Sequence, residues 1–385
     1  MCGISGFIGE SKNLEASFAI LSKLFEKSEI RGTDAAGYWM AESGEDGRIF
    51  YHKQPGASSE LVKSEKWKSV CKNNVNLALV HARGASRGYG DPSQNMNNHP
   101  FVNDKKNIAL VHNGKMDDNE YNFLSSKYTV KTECDSEILL RIFEYAKLRY
   151  GKEDLKKYIG DLPYPHRMAG VKDIFSIINN GHMAVAIGEY DRKNVRCLWL
   201  FRNLYRPLWA IDLRDSLGQI FFISDPNIWY DALSEIQQFK SFSYNSKICP
   251  IPDSEMWFLK IDDKQKHASL PIKYEIVKSE PKVWSGSDIY NNLHDEDDIE
   301  IDVVTTMQEQ KNDNIICSDD MVKCEKIIDS IEKEIKKIQE LSRSICITSQ
   351  VLVRNNTLSL SEAEQILSLL EEQSKSMKNI DDILS

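Results

Sequence analysis

Short β-like runs open the chain and keep returning, and their order restricts the architecture more than any other feature of the sequence. Cys2–Ile8, Gly37–Ala41, Ile49–His52, Leu77–Ala82 and Ile108–His112 come first. Two helical patterns punctuate them: Leu14, Phe18, Leu21 and Phe25 share one face, and Ile138, Leu139, Ile142, Phe143 and Ala146 share another in a segment opening near Asp135. A later block, His182–Tyr190, Arg196–Phe201, Leu208–Leu213 and Gln219–Ile223, reads as four strands separated by Asp, Asn, Arg, Pro and Gly, and so as a meander. Strands, then helices, then an antiparallel block predict an α+β protein with sheets inside and helices outside, not a regularly alternating parallel fold.

The globular part is expected to span residues 2–261. Residues 262–320 read as an acidic linker: periodic apolar positions thin out, and Asp295-Glu296-Asp297-Asp298-Ile299-Glu300-Ile301-Asp302 follows. Residues 321–385 return to helical spacing. Cys324, Ile328, Ile331, Ile335, Ile338 and Ile345 fall on heptad positions, as do Ala363, Ile366, Leu370, Met377, Ile380 and Leu384 after an Asn355-Asn356-Thr357 turn. Ser361 with Glu364 adds a capping-box signature. The expectation is a helical hairpin or coiled-coil tail. It either folds back on the protein or mediates self-association or partner docking.

A net charge of −9 argues against a broad nucleic-acid footprint. The eight cysteines are scattered with no C-x-x-C pair, which reads as reduced thiols. No apolar run reaches the roughly 18–20 residues of a membrane span, and no signal-peptide pattern opens the chain, so a cytoplasmic location is expected. Walker, G-x-G-x-x-G and H-E-x-x-H patterns are absent, and neither a cofactor nor a metal is expected.

Chemistry concentrates at the N-terminus. Removal of Met1 would leave the Cys2 thiol and a free α-amine on one carbon. Such an amine has a pKa of roughly 7.7–8.0, so one residue could supply both nucleophile and base. Alone, a second-position cysteine decides little.

Further segments change its weight: Cys2-Gly3-Ile4-Ser5-Gly6, Arg31-Gly32-Thr33-Asp34-Ala35-Ala36-Gly37, His81-Ala82-Arg83-Gly84-Ala85-Ser86, Asn98-His99-Pro100, Val111-His112-Asn113-Gly114 and Asp135-Ser136-Glu137. In this order, over roughly residues 2–261, the chain resembles class II glutamine amidotransferases, members of the N-terminal-nucleophile (Ntn) hydrolases. The resemblance implies a four-layer αββα sandwich and L-glutamine as substrate. It casts Cys2 as nucleophile and the Asn113 side chain with the Gly114 N–H as oxyanion hole. Arg83 then meets the glutamine carboxylate and Asp135 its ammonium, the pairing that a planar cation and an anion suit. Arg31, Asp34 and His99 shape the surrounding loops, and Gly37 permits a backbone turn. The Asn-Gly pair itself reads as a tight turn that presents both donors.

The chain departs from the family pattern at Gly84 and Arg87, where an aromatic residue and a histidine are usual in the flap over bound glutamine. Three functions follow: a glutaminase releasing ammonia to an acceptor-processing partner, a stand-alone hydrolase of γ-glutamyl amides, or a silent scaffold whose tail carries the function.

Overall fold

The computed structural model describes residues 2–44, 47–85, 90–159, 164–178, 181–191, 195–203, 205–236, 247–253, 255–261, 268–269 and 271–275, all within the first of the chain's two compact units, Met1–Val303. The acidic run at 295–302, the expected hairpin at 321–385 and Arg87 lie outside the described residues.

The described strands are β1 (Gly3–Ile8), β2 (Ala35–Glu42), β3 (Ile49–Pro55), β4 (Val75–Arg83), β5 (Phe101–Val102), β6 (Ile108–Lys115), β7 (His182–Asp191), β8 (Val195–Arg202), β9 (Trp209–Leu213), β10 (Gln219–Ile223), β11 (Lys247–Pro250), β12 (Glu255–Ile261) and β13 (Ile272–Glu275). They form two antiparallel sheets, one ordered β11-β9-β10-β1-β4-β2-β3 and the other β13-β12-β8-β7-β6-β5. β13 lies past Ile261, where the sequence reading ends the globular part.

Period-two alternation explains how the sheets pack. Ile4 and Ile8 of β1 join Trp39, Leu79, Val111, Ala186, Leu200 and Leu259 in a core that both sheets share. Phe7, on the opposite face of β1, packs instead with Phe18, Leu21 and Phe25 of the helix Leu14–Lys27 and with Trp229 of the helix Pro226–Glu235. The outer face of the six-stranded sheet is covered by Ile138, Ile142 and Phe143 of the helix Ser136–Glu144, and by Ile174 and Phe175 of the helix Pro165–Ile177. The result is an α+β sandwich with helices outside. No helix among the described residues is long and apolar enough to cross a membrane.

The later strand block is not the single meander its spacing predicts. β7 and β8 form a hairpin in the six-stranded sheet, whereas β9 and β10 form one in the seven-stranded sheet. The chain crosses between sheets after Arg202. Asn203 anchors that exit by accepting the Met183 N–H at 2.9 Å and donating to the Gly181 carbonyl at 2.6 Å, and Leu208 is buried in the core between the sheets.

Two local expectations also change. Asn113 and Gly114 lie inside β6, paired with Ala184 and Met183, and make no turn. A Cβ on Gly114 would come within 1.8 Å of the His182 carbonyl oxygen, so close strand approach rather than turn geometry requires glycine there. Gly37 likewise sits within β2. A Cβ there would lie 2.2 Å from the His99 carbonyl oxygen, so its role is to admit the 99–100 segment against the sheet.

Candidate active site

The two sheets bring their strand ends together around Cys2. Gly3 pairs with Ala82, a register that sets Cys2 beside Arg83 at the end of β4. Across the sandwich, His81 Nε2 lies 3.1 Å from the His112 carbonyl oxygen and joins β4 to β6. The Cys2 nitrogen donates to Asn113 Oδ1 at 3.0 Å, and Cys2 Sγ lies 3.6 Å from the Gly84 carbonyl oxygen. Nδ2 of the same Asn113 is buried and has no hydrogen-bond partner among the described residues. A buried amide donor left unpaired costs free energy, on the order of 1–3 kcal/mol, unless something supplies an acceptor.

Arg83, Asp135, His99 and Gly114 line one pocket with Cys2. The Arg83 guanidinium is buried and held by Asn98 Oδ1 at 2.5 Å and the Gly90 carbonyl at 2.8 Å. Asp135 immediately precedes the helix Ser136–Glu144 but does not cap it with its side chain. Its Oδ2 accepts the Met116 N–H at 2.7 Å and its Oδ1 accepts the Ser136 hydroxyl at 3.1 Å, fixing the carboxylate beside the pocket.

Arg31 and Asp34 act on the backbone around the pocket rather than lining it. Arg31 Nε donates to the Cys2 carbonyl at 3.1 Å, and its Nη1 pairs with Asp225 at 3.0 Å. Asp225 also caps the helix Pro226–Glu235. Asp34 accepts the Ala85 N–H at 2.7 Å through Oδ2, and its own N–H donates to the Arg83 carbonyl at 2.9 Å. It therefore fastens the strand end that carries Arg83 and Gly84.

His99 and His112, which line the pocket, form a buried histidine cluster with His81. The His99 ring stacks on His81 with centroids 3.9 Å apart, and neither His99 nitrogen has a hydrogen-bond partner among the described residues. His112 Nδ1 is 2.8 Å from Ser136 Oγ and its Nε2 is 3.3 Å from the His182 carbonyl. Burial pushes His81 down to about 3 and holds His99 and His112 below the usual imidazole value, so these rings are neutral near pH 7.

Burial likewise pushes the Cys2 thiol up, an effect that nearby positive charges, including Arg83, oppose. Cys134, in the same pocket, is raised to about 12 by burial and by the neighbouring Asp135 carboxylate. Among the described residues, no cluster of three His, Cys, Asp or Glu is placed to hold a metal ion.

Sequence reasoning assigns no role to three side chains that organise this site: Asn98, which holds Arg83, and His81 and His112, which tie the strands together. Each stands within a recognised segment, so the signal was proximity to Arg83, His99 and Asn113. Lys53 gives no such signal.

The site thus sets a near-terminal cysteine at a strand end, its nitrogen bonded to Asn113 Oδ1 and the Nδ2 of the same amide unpaired among the described residues. No protein-family model matches the chain. Curated relatives do match its N-terminal part, and they carry the name glutamine--fructose-6-phosphate aminotransferase [isomerizing]. The protein from Bacteroides thetaiotaomicron is 31% identical over 153 residues, 38% of this chain and 23% of the relative. That from Clostridium perfringens is 35% identical over 158 residues, 40% and 23% of the two chains. That from Aquifex aeolicus is 30% identical over 169 residues, 42% and 24%. The chain thus spans about a quarter of the length of the curated relatives it matches. The similarity is confined to the N-terminal part of the chain, the part that carries Cys2, Arg83 and Asn113.

Proposed function

We propose that residues 2–261 form the glutaminase part of a glutamine amidotransferase that releases ammonia from the side-chain amide of L-glutamine. The observation that carries this reading is the double use of Asn113. Its Oδ1 holds the Cys2 nitrogen while its Nδ2 stays buried without a partner, the arrangement of a donor reserved for an oxygen that becomes negative.

With Met1 removed, the Cys2 α-amine donates one proton to Asn113 Oδ1 and offers its lone pair to its own thiol. Because burial raises that thiol, little thiolate exists at neutral pH without such a base. The thiolate attacks the amide carbon, and negative charge develops on the former carbonyl oxygen. Asn113 Nδ2 and the Gly114 N–H donate to it. Collapse breaks the C–N bond, the ammonium of Cys2 returns its proton to the leaving nitrogen, and ammonia departs. Water then adds to the γ-glutamyl thioester, with the α-amine as base, giving glutamate and free Cys2. Arg83 meets the glutamine carboxylate and Asp135 its ammonium; both stand in the pocket with Cys2.

The ammonia acceptor belongs to a partner protein or a further domain, in keeping with relatives about four times as long as the match. Residues 321–385 are the candidate docking or self-association element. Gly84 lines the pocket at the position where the family pattern has an aromatic flap residue, so no ring from that position covers bound glutamine. Ammonia release from L-glutamine by the purified chain tests the proposal. Release that disappears in Cys2→Ala supports it, and a folded wild-type protein that releases none contradicts it.

A further inference from the structure

Lys53 lies half-buried in β3, the edge strand of the seven-stranded sheet, with its ammonium turned onto the 96–98 segment. Burial lowers it to about 8, and among the described residues it forms no ion pair. With no carboxylate beside it, the partly desolvated ammonium is satisfied by backbone carbonyls. Both belong to one short segment: Nζ donates to the Met96 carbonyl at 3.1 Å and to the Asn98 carbonyl at 2.6 Å. The segment answers in kind, since Asn95 Nδ2 donates to the Lys53 carbonyl at 2.7 Å. The lysine also lies over the Phe101 ring, 4.9 Å from its centroid.

Asn98 connects this clamp to the pocket. Its backbone oxygen accepts a hydrogen bond from Lys53 Nζ, its side-chain oxygen accepts one from Arg83 Nη1, and its Nδ2 donates to the Pro92 carbonyl at 2.8 Å. A shift of the 95–98 segment therefore moves the acceptor that aims the guanidinium. We propose that Lys53 is a positioning residue for Arg83, holding Asn98 so that the guanidinium faces the carboxylate of the substrate in the Cys2 pocket. This rests on the glutaminase reading above. It adds a residue that touches no substrate atom yet sets affinity for the substrate's carboxylate end.

The test compares L-glutamine with its α-amide, which keeps the cleavable side chain and lacks the carboxylate. In Lys53→Met, which retains the stem over Phe101 but loses the donor, the KM for L-glutamine should rise about tenfold or more, as expected for loss of a charged hydrogen bond. Its kcat should stay within about twofold, and kcat/KM for the α-amide should change little. Lys53→Arg should restore most of the affinity. Asn98→Ala should give the same KM signature, and the double variant no further loss, because both act through one contact.

An unchanged glutamine KM in folded Lys53→Met overturns the inference. So does an equal loss for both substrates, or additive effects in the double variant. A wild-type chain that hydrolyses neither substrate fails the glutaminase reading itself and takes this inference with it, whereas an active wild type with an indifferent Lys53 fails the inference alone. Should Lys53→Met not fold, the Asn98→Ala and Lys53→Arg comparison still decides.

Discussion

The nitrogen of Cys2 and the side-chain oxygen of Asn113, 111 residues apart in sequence, meet at 3.0 Å where the two sheets face each other. This contact fixes the thiol relative to the neighbouring Nδ2, which is the donor the proposed chemistry needs. Asn113→Ala should therefore lower kcat for glutamine hydrolysis by about 10²–10³ with a smaller change in KM. Asn113→Asp keeps an acceptor for the Cys2 nitrogen but removes the donor, and should be impaired nearly as much. Steady-state ammonia release measures both; full activity in Asn113→Asp would remove the oxyanion role.

In the proposed reading Arg83 and Asp135 serve binding rather than chemistry. Arg83→Ala and Asp135→Ala should each raise the glutamine KM strongly, the second with an added loss of stability of about 1–3 kcal/mol because the Met116 N–H loses its acceptor. Kinetics alongside chemical denaturation separate the two effects. Unchanged KM values in both variants would point to a different, larger γ-glutamyl substrate.

Stability should fall in acid through the histidine cluster. His81, His99 and His112 are held neutral by burial, whereas in the unfolded chain they protonate near about 6.5. Below that pH the unfolded state binds more protons, so stability is full above about 6.5 and declines as pH falls towards about 3, at up to about 1.4 kcal/mol per pH unit per ring. Denaturation midpoints between pH 7 and pH 4 should show this slope, and His81→Asn should flatten it. A stability independent of pH over that interval would contradict the neutral cluster.

Gly37 is predicted to be intolerant for a reason unrelated to turns. Gly37→Ala places a methyl 2.2 Å from the His99 carbonyl oxygen and should cost about 1–3 kcal/mol while displacing the segment that carries Asn98 and His99. Thermal melting and glutamine KM should move together. An alanine variant with unchanged stability would show that the segment has room to shift.

Much of the α+β sandwich was legible because β1, β2, β4 and β6 carry continuous or alternating apolar residues, and because Leu14–Lys27 shows one clean apolar face capped by Asn13. Pro165–Ile177 was not, since Met168, Ala169, Gly170, Val171, Asp173, Ile174, Phe175 and Ser176 are all buried and leave no polar face to set a period. The split of the later strands between two sheets was hidden as well: local spacing defines a hairpin, but the partner β8 takes in β12 comes from over fifty residues downstream. For the site, motif order pointed to Cys2, Arg83, Asn113, Gly114 and Asp135, whose neighbours in space come from both sheets. Lys53 stood in no motif, because its role comes from a tertiary approach of β3 to residues 95–98.

The most direct test of the central claim is peptide-resolved mass spectrometry after exposure to a glutamine-mimicking diazo-ketone. Cys2 and Cys134 share the pocket, but only Cys2 has an adjacent α-amine to take its proton, and burial keeps Cys134 a thiol to about 12. The predicted result is one adduct, on a peptide that begins at Cys2 with Met1 removed, formed in step with loss of ammonia release and blocked by L-glutamine. An adduct at Cys134 or Cys71, with hydrolysis intact in Cys2→Ala, would contradict it.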